Sequence, residues 1–356
     1  MIDRIRAFKQ VPRIIFGKGA FEEIEKFIKD YREKAYIVVL FDNVHETTGL
    51  KGKFQFQEDD YLFAVDTTEE PKTSQIDEIR DQILKDNHNT MPSLVIGIGG
   101  GSTLDIAKAV SVMLTNEGSS TLYQGWDLVK KDAIPKLAIP TLSGTGAEAS
   151  RTAVLTAKDK KFGINSDQSM FDVVMMDPDL IKTVPNDQRF YTGMDCYIHC
   201  VESIEGLFIN SFGKVYAQSA LESCRKVFLN QGGTDEDLMV ASYMGGASVA
   251  NSEVGVVHAM SYGLSLILGY KHGIANCIAF DQLEEFYPEY VPEFRKMMEL
   301  NNIILPKNIT KNITDDQMDK MLQMTLKMER PLASALGNNW KKILTEDKIT
   351  SIYKRM

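Results

Sequence analysis

A chain of 356 residues that is 44% hydrophobic and 25% charged has the composition of a globular protein, and is long enough to bury two cores. Its net charge of −9 and pI near 5.2, with no long Lys/Arg cluster, argue against a nucleic-acid-binding surface. Any acidic ligand must therefore be met by a local pocket.

The run Met1 to Arg6 passes into mixed sequence without an apolar signal core, so no export is expected. Residues 13–17 read as a short strand ending in a turn. A helix follows over 21–31, with Phe21, Ile24, Phe27, Ile28 and Tyr31 at helical spacing. The runs 36–41, 61–65 and 94–98 read as buried strands, and a helix over 74–87 turns Ile76, Ile79 and Ile83 inward. A strand at 137–139 and the run 172–176 complete an alternation that implies parallel strands with helical crossovers. Beyond Val184-Pro185 the β-rich runs give way to helices over 187–206, 211–230, 235–250, 254–268, 289–302 and 314–327. The expected architecture is an α/β domain with a parallel sheet over residues 1–183, followed by an all-α domain over 184–356. The uncharged run 254–270 carries His258, two Ser and three Gly, and reads as a buried central helix rather than a membrane span. Four cysteines, Cys196, Cys200, Cys224 and Cys277, make no secreted-type framework in a chain this long, so reduced thiols in a cytoplasmic protein are expected.

Three stretches of the first domain carry chemistry. In Ile98-Gly99-Gly100-Gly101-Ser102-Thr103-Leu104-Asp105-Ile106-Ala107-Lys108, three glycines stand between a buried strand and a helix. Their N–H groups, with those of the helix start, form an anion site suited to a pyrophosphate, and Ser102 can cap the helix or donate to phosphate. Glycine runs also serve plain tight turns. Pro140-Thr141-Leu142-Ser143-Gly144-Thr145-Gly146-Ala147-Glu148 packs hydroxyls and glycines after a strand. Asp42 ends the strand 36–41, where a carboxylate either accepts from both adenine-ribose hydroxyls and repels a 2′-phosphate, or ends the strand as a turn residue.

In the second domain, Asp195 and His199 stand four apart within Gly193-Met194-Asp195-Cys196-Tyr197-Ile198-His199-Cys200-Val201-Glu202, so a helix projects both from one face. Alone, that pair is as readily a cap or a core contact as a chelate. Three of the five histidines fall within residues 199–272; buried imidazoles need partners, and one divalent ion serves three at once. Cys196 and Cys200 offer a rival zinc site of structural type, but they are turned roughly 100° from the Asp195 and His199 face, and small core residues are the preferred reading.

These stretches resemble the iron-containing (group III) alcohol dehydrogenases. Positions 193–202 match that family's Gly-x-Asp-(small)-x-x-His-(small)-x-Glu, residues 99–108 its Gly-Gly-Gly-Ser-x-x-Asp-x-x-Lys loop, and 140–148 its Pro-Thr-x-x-Gly-Thr-Gly-x-Glu. The resemblance implies a divalent ion, Fe or Zn, held by Asp195, His199, His258 and His272. It further implies NAD bound by Asp42, Gly99, Gly100, Gly101, Ser102, Thr141, Leu142, Thr145 and Lys161. An ion with three neutral imidazoles and one carboxylate keeps a net charge of about +1 and room for one more ligand, so it eases deprotonation of an alcohol whose hydride then passes to nicotinamide. A homodimer, no membrane and no nucleic acid are expected. The family commonly has a second histidine four residues after the first helical one, thought to position substrate or relay its proton. Tyr262 stands there, and a phenol titrates far above an imidazole. With Arg151 directly after the Gly-Thr-Gly-Ala-Glu stretch, the chain looks like the subgroup that oxidises the primary C8 hydroxyl of an acidic sugar, 3-deoxy-D-manno-octulosonate, to an aldehyde in lipopolysaccharide sugar modification. Arg151 would hold the sugar carboxylate by paired hydrogen bonds, although a guanidinium at a strand start can equally be a surface residue. The other substrate class is small aliphatic alcohols, diols or aldehydes. Two further readings are a dehydroquinate-synthase-like lyase, which would carry Glu and more basic phosphate-binding residues in place of Asp-x3-His, and a nucleotide-binding protein without catalysis, which fits poorly with four intact ligands.

Overall fold

The structure, a computed structural model, describes residues 8–44, 49–88, 90–158 and 160–356; the run Met1 to Arg6, read above as lacking a signal core, lies outside them. The chain divides into two compact units. One is Lys9–Leu142 with Ala147–Thr183, and the other is Val184–Met356 with Phe8 and Ser143–Gly146.

In the α/β unit the apolar runs become strands β1 (Arg13–Phe16), β2 (Ile37–Asp42), β3 (Tyr61–Val65), β4 (Leu94–Gly99), β5 (Gly125–Trp126), β6 (Lys136–Pro140), β7 (Thr152–Thr156), β8 (Lys161–Asn165) and β9 (Val173–Met176). Six form a sheet in the order β1-β9-β6-β4-β2-β3, parallel at every pairing. The central strands β2 and β4 are buried at all positions. They therefore read as continuous apolar runs, as strands covered on both faces must. Helices α1 (Ile24–Arg32), α2 (Thr73–Asp86) and α3 (Gly101–Met113) complete the alternation. Ile24 and Ile28 of α1 join Val39, Phe41, Ile96 and Ile98 in one core, each such side chain contributing about 1.5–3 kcal/mol relative to exposure. From β2 the chain proceeds to β3 on one side, and from β4 to β6 on the other. The winding thus reverses between β2 and β4, and ligands of such sheets bind outside the carboxyl ends at that reversal. Those ends are Asp42 and Gly99.

A second sheet, β5-β8-β7, was not expected. Its strands span two to five residues, too short for their periodicity to separate them from loop. The buried Lys108 of α3 explains how it is anchored. The ammonium pairs with Asp105 at 3.1 Å and donates to the Thr152 carbonyl at 2.7 Å, while Asp105 accepts from the Val154 N–H at 3.0 Å. Burial pushes Asp105 up and Lys108 down, each opposed by the other's charge. The Asp and Lys of the Gly-rich motif therefore clamp α3 to β7 and do not extend the anion site.

The second unit is helical: α4 (Asn186–Glu205), α5 (Ser211–Phe228), α6 (Asp235–Ala250), α7 (Val256–Leu268), α8 (His272–Asp281), α9 (Tyr290–Leu300), α10 (Asp315–Lys327), α11 (Glu329–Leu336), α12 (Trp340–Ile343) and α13 (Glu346–Tyr353). Their starts follow capping residues legible in the sequence. Asn210 accepts from the Gly213 N–H, and Thr234 and Thr314 form capping boxes with Asp237 and Gln317. Helices α8 and α11 to α13 were not expected. The uncharged run 254–270 yields only the 13-residue α7, closed by Gly269 at φ 76°, and no helix among the described residues is long and apolar enough to cross a membrane.

One boundary differs from expectation. Ser143–Gly146, placed by sequence in the first domain, packs with the helical unit. A Cβ on Gly144, at φ +151°, would stand 1.6 Å from the Thr192 carbonyl oxygen, and one on Gly146 2.3 Å from Gly246 Cα. The Gly144 N–H donates to Ser242 Oγ at 2.8 Å. The glycines of Gly-Thr-Gly thus serve backbone-to-backbone packing that no local pattern reveals.

Candidate metal centre and nucleotide loop

Asp195 and His199 lie on the buried middle of α4, His258 on the first turn of α7, and His272 is the first residue of α8. The local reasons are those of the sequence. Residues i and i+4 share a face of α4, and α8 begins where the loop after Gly269 ends, so His272 is carried inward on a helix rather than left in a loop. Asp195 Oδ1 is 3.4 Å from His258 Nε2, 3.6 Å from His272 Nε2 and 3.7 Å from His199 Nε2. All four candidate donor atoms lie within 4.8 Å of one another.

These residues fit a metal ion. A tetrahedral centre with bonds of about 2.1 Å separates its ligands by about 3.4 Å, close to the spacing here. The three imidazoles present Nε2 to the same oxygen, Asp195 Oδ1, so the donor atoms are aimed at one shared point rather than spent on separate neighbours. Electrostatics agree. Burial raises the Asp195 carboxyl, but the three imidazoles outweigh it and hold the group well below the usual range. Burial lowers His199, keeping it neutral as a ligand must be.

Glu202, in the sequence motif but assigned no role there, accounts for His258. Its Oε2 lies 2.5 Å from His258 Nδ1, and its Oε1 accepts from the Val257 N–H at 2.7 Å and the His258 N–H at 3.3 Å. The carboxylate thus caps a helix whose N-cap residue, Gly255, has no side chain to do so. By accepting from Nδ1–H the carboxylate holds that proton on Nδ1, so that Nε2, which faces Asp195, is the nitrogen whose proton a metal ion would displace, the usual second contact of a ligating imidazole. Burial lowers His258, yet Glu202 and Asp195 push it up to about 9. Asn276, one turn into α8, is the other residue missed. Its Nδ2 is 2.7 Å from Asp195 Oδ1. The signal for both was spacing from a ligand on the same helix, three after His199 and four after His272.

The Tyr262 ring stands 6.1 Å from that of His272. Cys196 and Cys200 do not join the centre. Cys196 donates to the Ala241 carbonyl at 3.1 Å, and a Cβ on Gly245 of α6 would lie 2.7 Å from its sulfur and 3.6 Å from that of Cys200. They pack against α6 as small core residues, and all four cysteines are free and buried.

In the α/β unit, Asp42, Gly99, Gly100, Thr141 and Leu142 come together. A Cβ on Gly99 would stand 2.6 Å from Thr103 and 3.0 Å from Asp42, and one on Gly100 2.8 Å from Leu142. The Thr141 N–H donates to the Gly99 carbonyl at 3.0 Å. Asp42, 6% exposed, accepts from Thr67 Oγ1, Thr103 Oγ1 and the Val44 N–H. Gly101 and Ser102 open α3. Ser102 is not its cap: Gly100 holds that position without a side-chain bond, so no side chain competes with an anion for the helix start. Lys161 is buried on β8 and pairs with Glu70 at 3.2 Å. Thr145 belongs to the helical unit. Arg151 pairs with Asp127, with Asp167 at 3.2 Å, and donates to the Asn165 carbonyl at 3.3 Å.

Residues 12–178 match the iron-containing alcohol dehydrogenase family, and residues 189–335 match the C-terminal part of the Fe-containing alcohol dehydrogenase family. Alcohol dehydrogenase 4 of Schizosaccharomyces pombe is 26% identical over 336 residues, 91% of this chain and 78% of the relative. Two solved structures share the fold. Sulfoacetaldehyde reductase from Bifidobacterium kashiwanohense in complex with NAD+ has a TM-score of 0.81 at 21% identity, with 98% of each chain covered. A 1,3-propanediol oxidoreductase has 0.82 at 20%, with 98% of this chain and 99% of that one covered. Since the family matches run through both units, the chain belongs to the iron-containing alcohol dehydrogenases and is an NAD- and metal-dependent oxidoreductase acting on CH–OH groups.

Proposed function

We propose that the protein interconverts a small primary alcohol and its aldehyde, with Asp195, His199, His258 and His272 holding one Fe or Zn ion and with NAD preferred over NADP. The convergence of three imidazole Nε2 atoms on one carboxylate oxygen at 3.4–3.7 Å carries the reading. When bound, the ion supplies Lewis acidity toward an alcohol oxygen and the nicotinamide accepts hydride. The chain's own groups do the rest. Glu202 keeps the His258 proton on Nδ1 and so keeps Nε2 available. Tyr262, four residues after His258, offers a phenol hydroxyl where its relatives' second histidine would be, and can donate to a substrate oxygen. The N–H groups of Gly100, Gly101 and Ser102 receive the pyrophosphate. Thr141, Leu142, Thr145 and Lys161 complete the nucleotide contacts. Asp42 accepts from the adenine-ribose hydroxyls and repels a 2′-phosphate.

Small neutral substrates are favoured over the acidic sugar by one observation. The guanidinium of Arg151 already serves two carboxylates, Asp127 and Asp167, so a substrate carboxylate would have to displace them. The relatives' names, which speak of alcohols and a diol, support the same class; sulfoacetaldehyde, named for another, is small but carries a sulfonate, so it supports the size of the substrate and not its neutrality. A homodimer is supported by the edge strand β1, whose Ile14 and Phe16 are 45% and 44% exposed; sedimentation of wild type against Phe16→Lys tests it. The deciding experiment measures bound metal together with NADH formation on propanediol, butanol, glycerol and the octulosonate. His272→Ala should lose metal and turnover while still binding NAD. Full metal content and turnover in that variant would sink the ligand assignment, and turnover restricted to the octulosonate and abolished by Arg151→Ala would restore the acidic-sugar reading.

A further inference from the structure

We propose that Asn276 is a positioning residue of the metal centre, its amide selecting which oxygen of Asp195 faces the imidazoles. The inference rests on the metal-centre reading above. Asn276 is fully buried, and its Nδ2 lies 2.7 Å from Asp195 Oδ1 and 3.2 Å from both His258 Nε2 and His272 Nε2. An amide nitrogen has two protons for these three acceptors. Once a cation takes the imidazole lone pairs, the bond to Asp195 alone remains, and it is charge-assisted. The other carboxylate oxygen, Oδ2, has no hydrogen-bond partner among the described residues. The two oxygens of Asp195 are therefore distinguished by the amide. Without it, rotation about the carboxyl bond would present either oxygen, or both, to the ion.

The position of the amide adds a second consequence. Nδ2 is near Asp195 Oδ1, His258 Nε2 and His272 Nε2 together, so it covers the face of the ligand set opposite His199. A further ligand is thereby turned away from that buried side and toward faces that include His199. A neutral amide does this without adding charge, which leaves the ion at its net positive value and its Lewis acidity intact. A carboxylate at position 276 would cancel that charge.

The test uses the full chain loaded with Co(II) as a spectroscopic substitute, comparing wild type with Asn276→Ala, Asn276→Leu and Asn276→Asp. Metal affinity is read by competition with a chelator, ligand geometry by the visible Co(II) bands, and folding by circular dichroism of the metal-free proteins. For the Ala and Leu variants we expect affinity about 10- to 100-fold weaker, as for other side chains that orient ligands, with altered Co(II) bands and an unchanged fold. Should neither apolar variant fold, the near-isosteric Asp variant decides, since a carboxylate cannot donate to Asp195 and the bands should change. Wild-type bands and affinity within threefold in the folded apolar variants, or wild-type bands in the Asp variant, would overturn the proposal. Failure of the wild type itself to bind Co(II), Fe or Zn would instead remove the metal-centre reading.

Discussion

Glu202→Gln separates charge from shape at the centre. Glutamine can still accept from the Val257 N–H, which Glu202 Oε1 meets at 2.7 Å, so the packing of a residue only 2% exposed is preserved. Its amide nitrogen would then face His258 Nδ1, where the carboxylate oxygen now lies at 2.5 Å. Two donors cannot share that contact. The imidazole must move its proton to Nε2, and a protonated Nε2 cannot ligate. Orienting carboxylates of this kind typically carry 10- to 100-fold in metal affinity, or about 1.4–2.8 kcal/mol. Loss of a negative charge at the first turn of α7 removes a further 0.3–1 kcal/mol or so. Chelator competition reads the first quantity directly. Thermal midpoints with and without metal read it again, because an ion that binds only the folded state stabilises it by RT ln(1 + [L]/Kd). The metal-induced rise in midpoint should shrink in step with the affinity. A folded Glu202→Gln protein that bound metal within threefold of wild type would falsify the assignment of Glu202 as the group that sets the His258 tautomer.

Three other perturbations probe separate parts of the molecule. Asp42→Gly should raise the ratio of NADP to NAD turnover by roughly tenfold or more, about 1.4 kcal/mol, since it removes a like-charge clash with a 2′-phosphate; a wild-type enzyme that already used both cofactors equally would contradict the role given to Asp42. Gly144→Ala should be severely destabilising, on the order of 3 kcal/mol or more, because its Cβ would stand 1.6 Å from the Thr192 carbonyl oxygen; a denaturation midpoint equal to wild type would show that Ser143–Gly146 does not pack as described. The Asp237 carboxylate is held below its ordinary 3.8 by bonds from the Thr234 hydroxyl and backbone N–H, so the stability it contributes is present above that value and lost as pH falls through the lower folded one. Asp237→Ala should therefore melt below wild type at neutral pH, the gap closing in acid, and a gap that stayed constant down to pH 2 would exclude the capping box as its source.

What the chain could say unaided follows from how local the physics is. Helical spacing places Asp195 and His199 on one face whatever surrounds them, and continuous apolar runs identify β2 and β4 as doubly covered strands, because both signals depend only on neighbours in sequence. The joining of His258 and His272 to that pair, 59 and 73 residues after His199, came from likeness to a family and not from any period in the chain. Tertiary packing alone decided the rest. It turned Arg151 toward Asp127 and Asp167, buried Lys161 against Glu70, and spent the motif's Asp105 and Lys108 on anchoring β7. It drew Ser143–Gly146 out of the first unit and against α4 and α6, and brought Glu202 and Asn276 to the ligands they orient. A charged side chain shows its type in sequence but not its partner, since the partner is whichever opposite charge folding brings within a few ångströms, and the cost of burying it unpaired makes that choice.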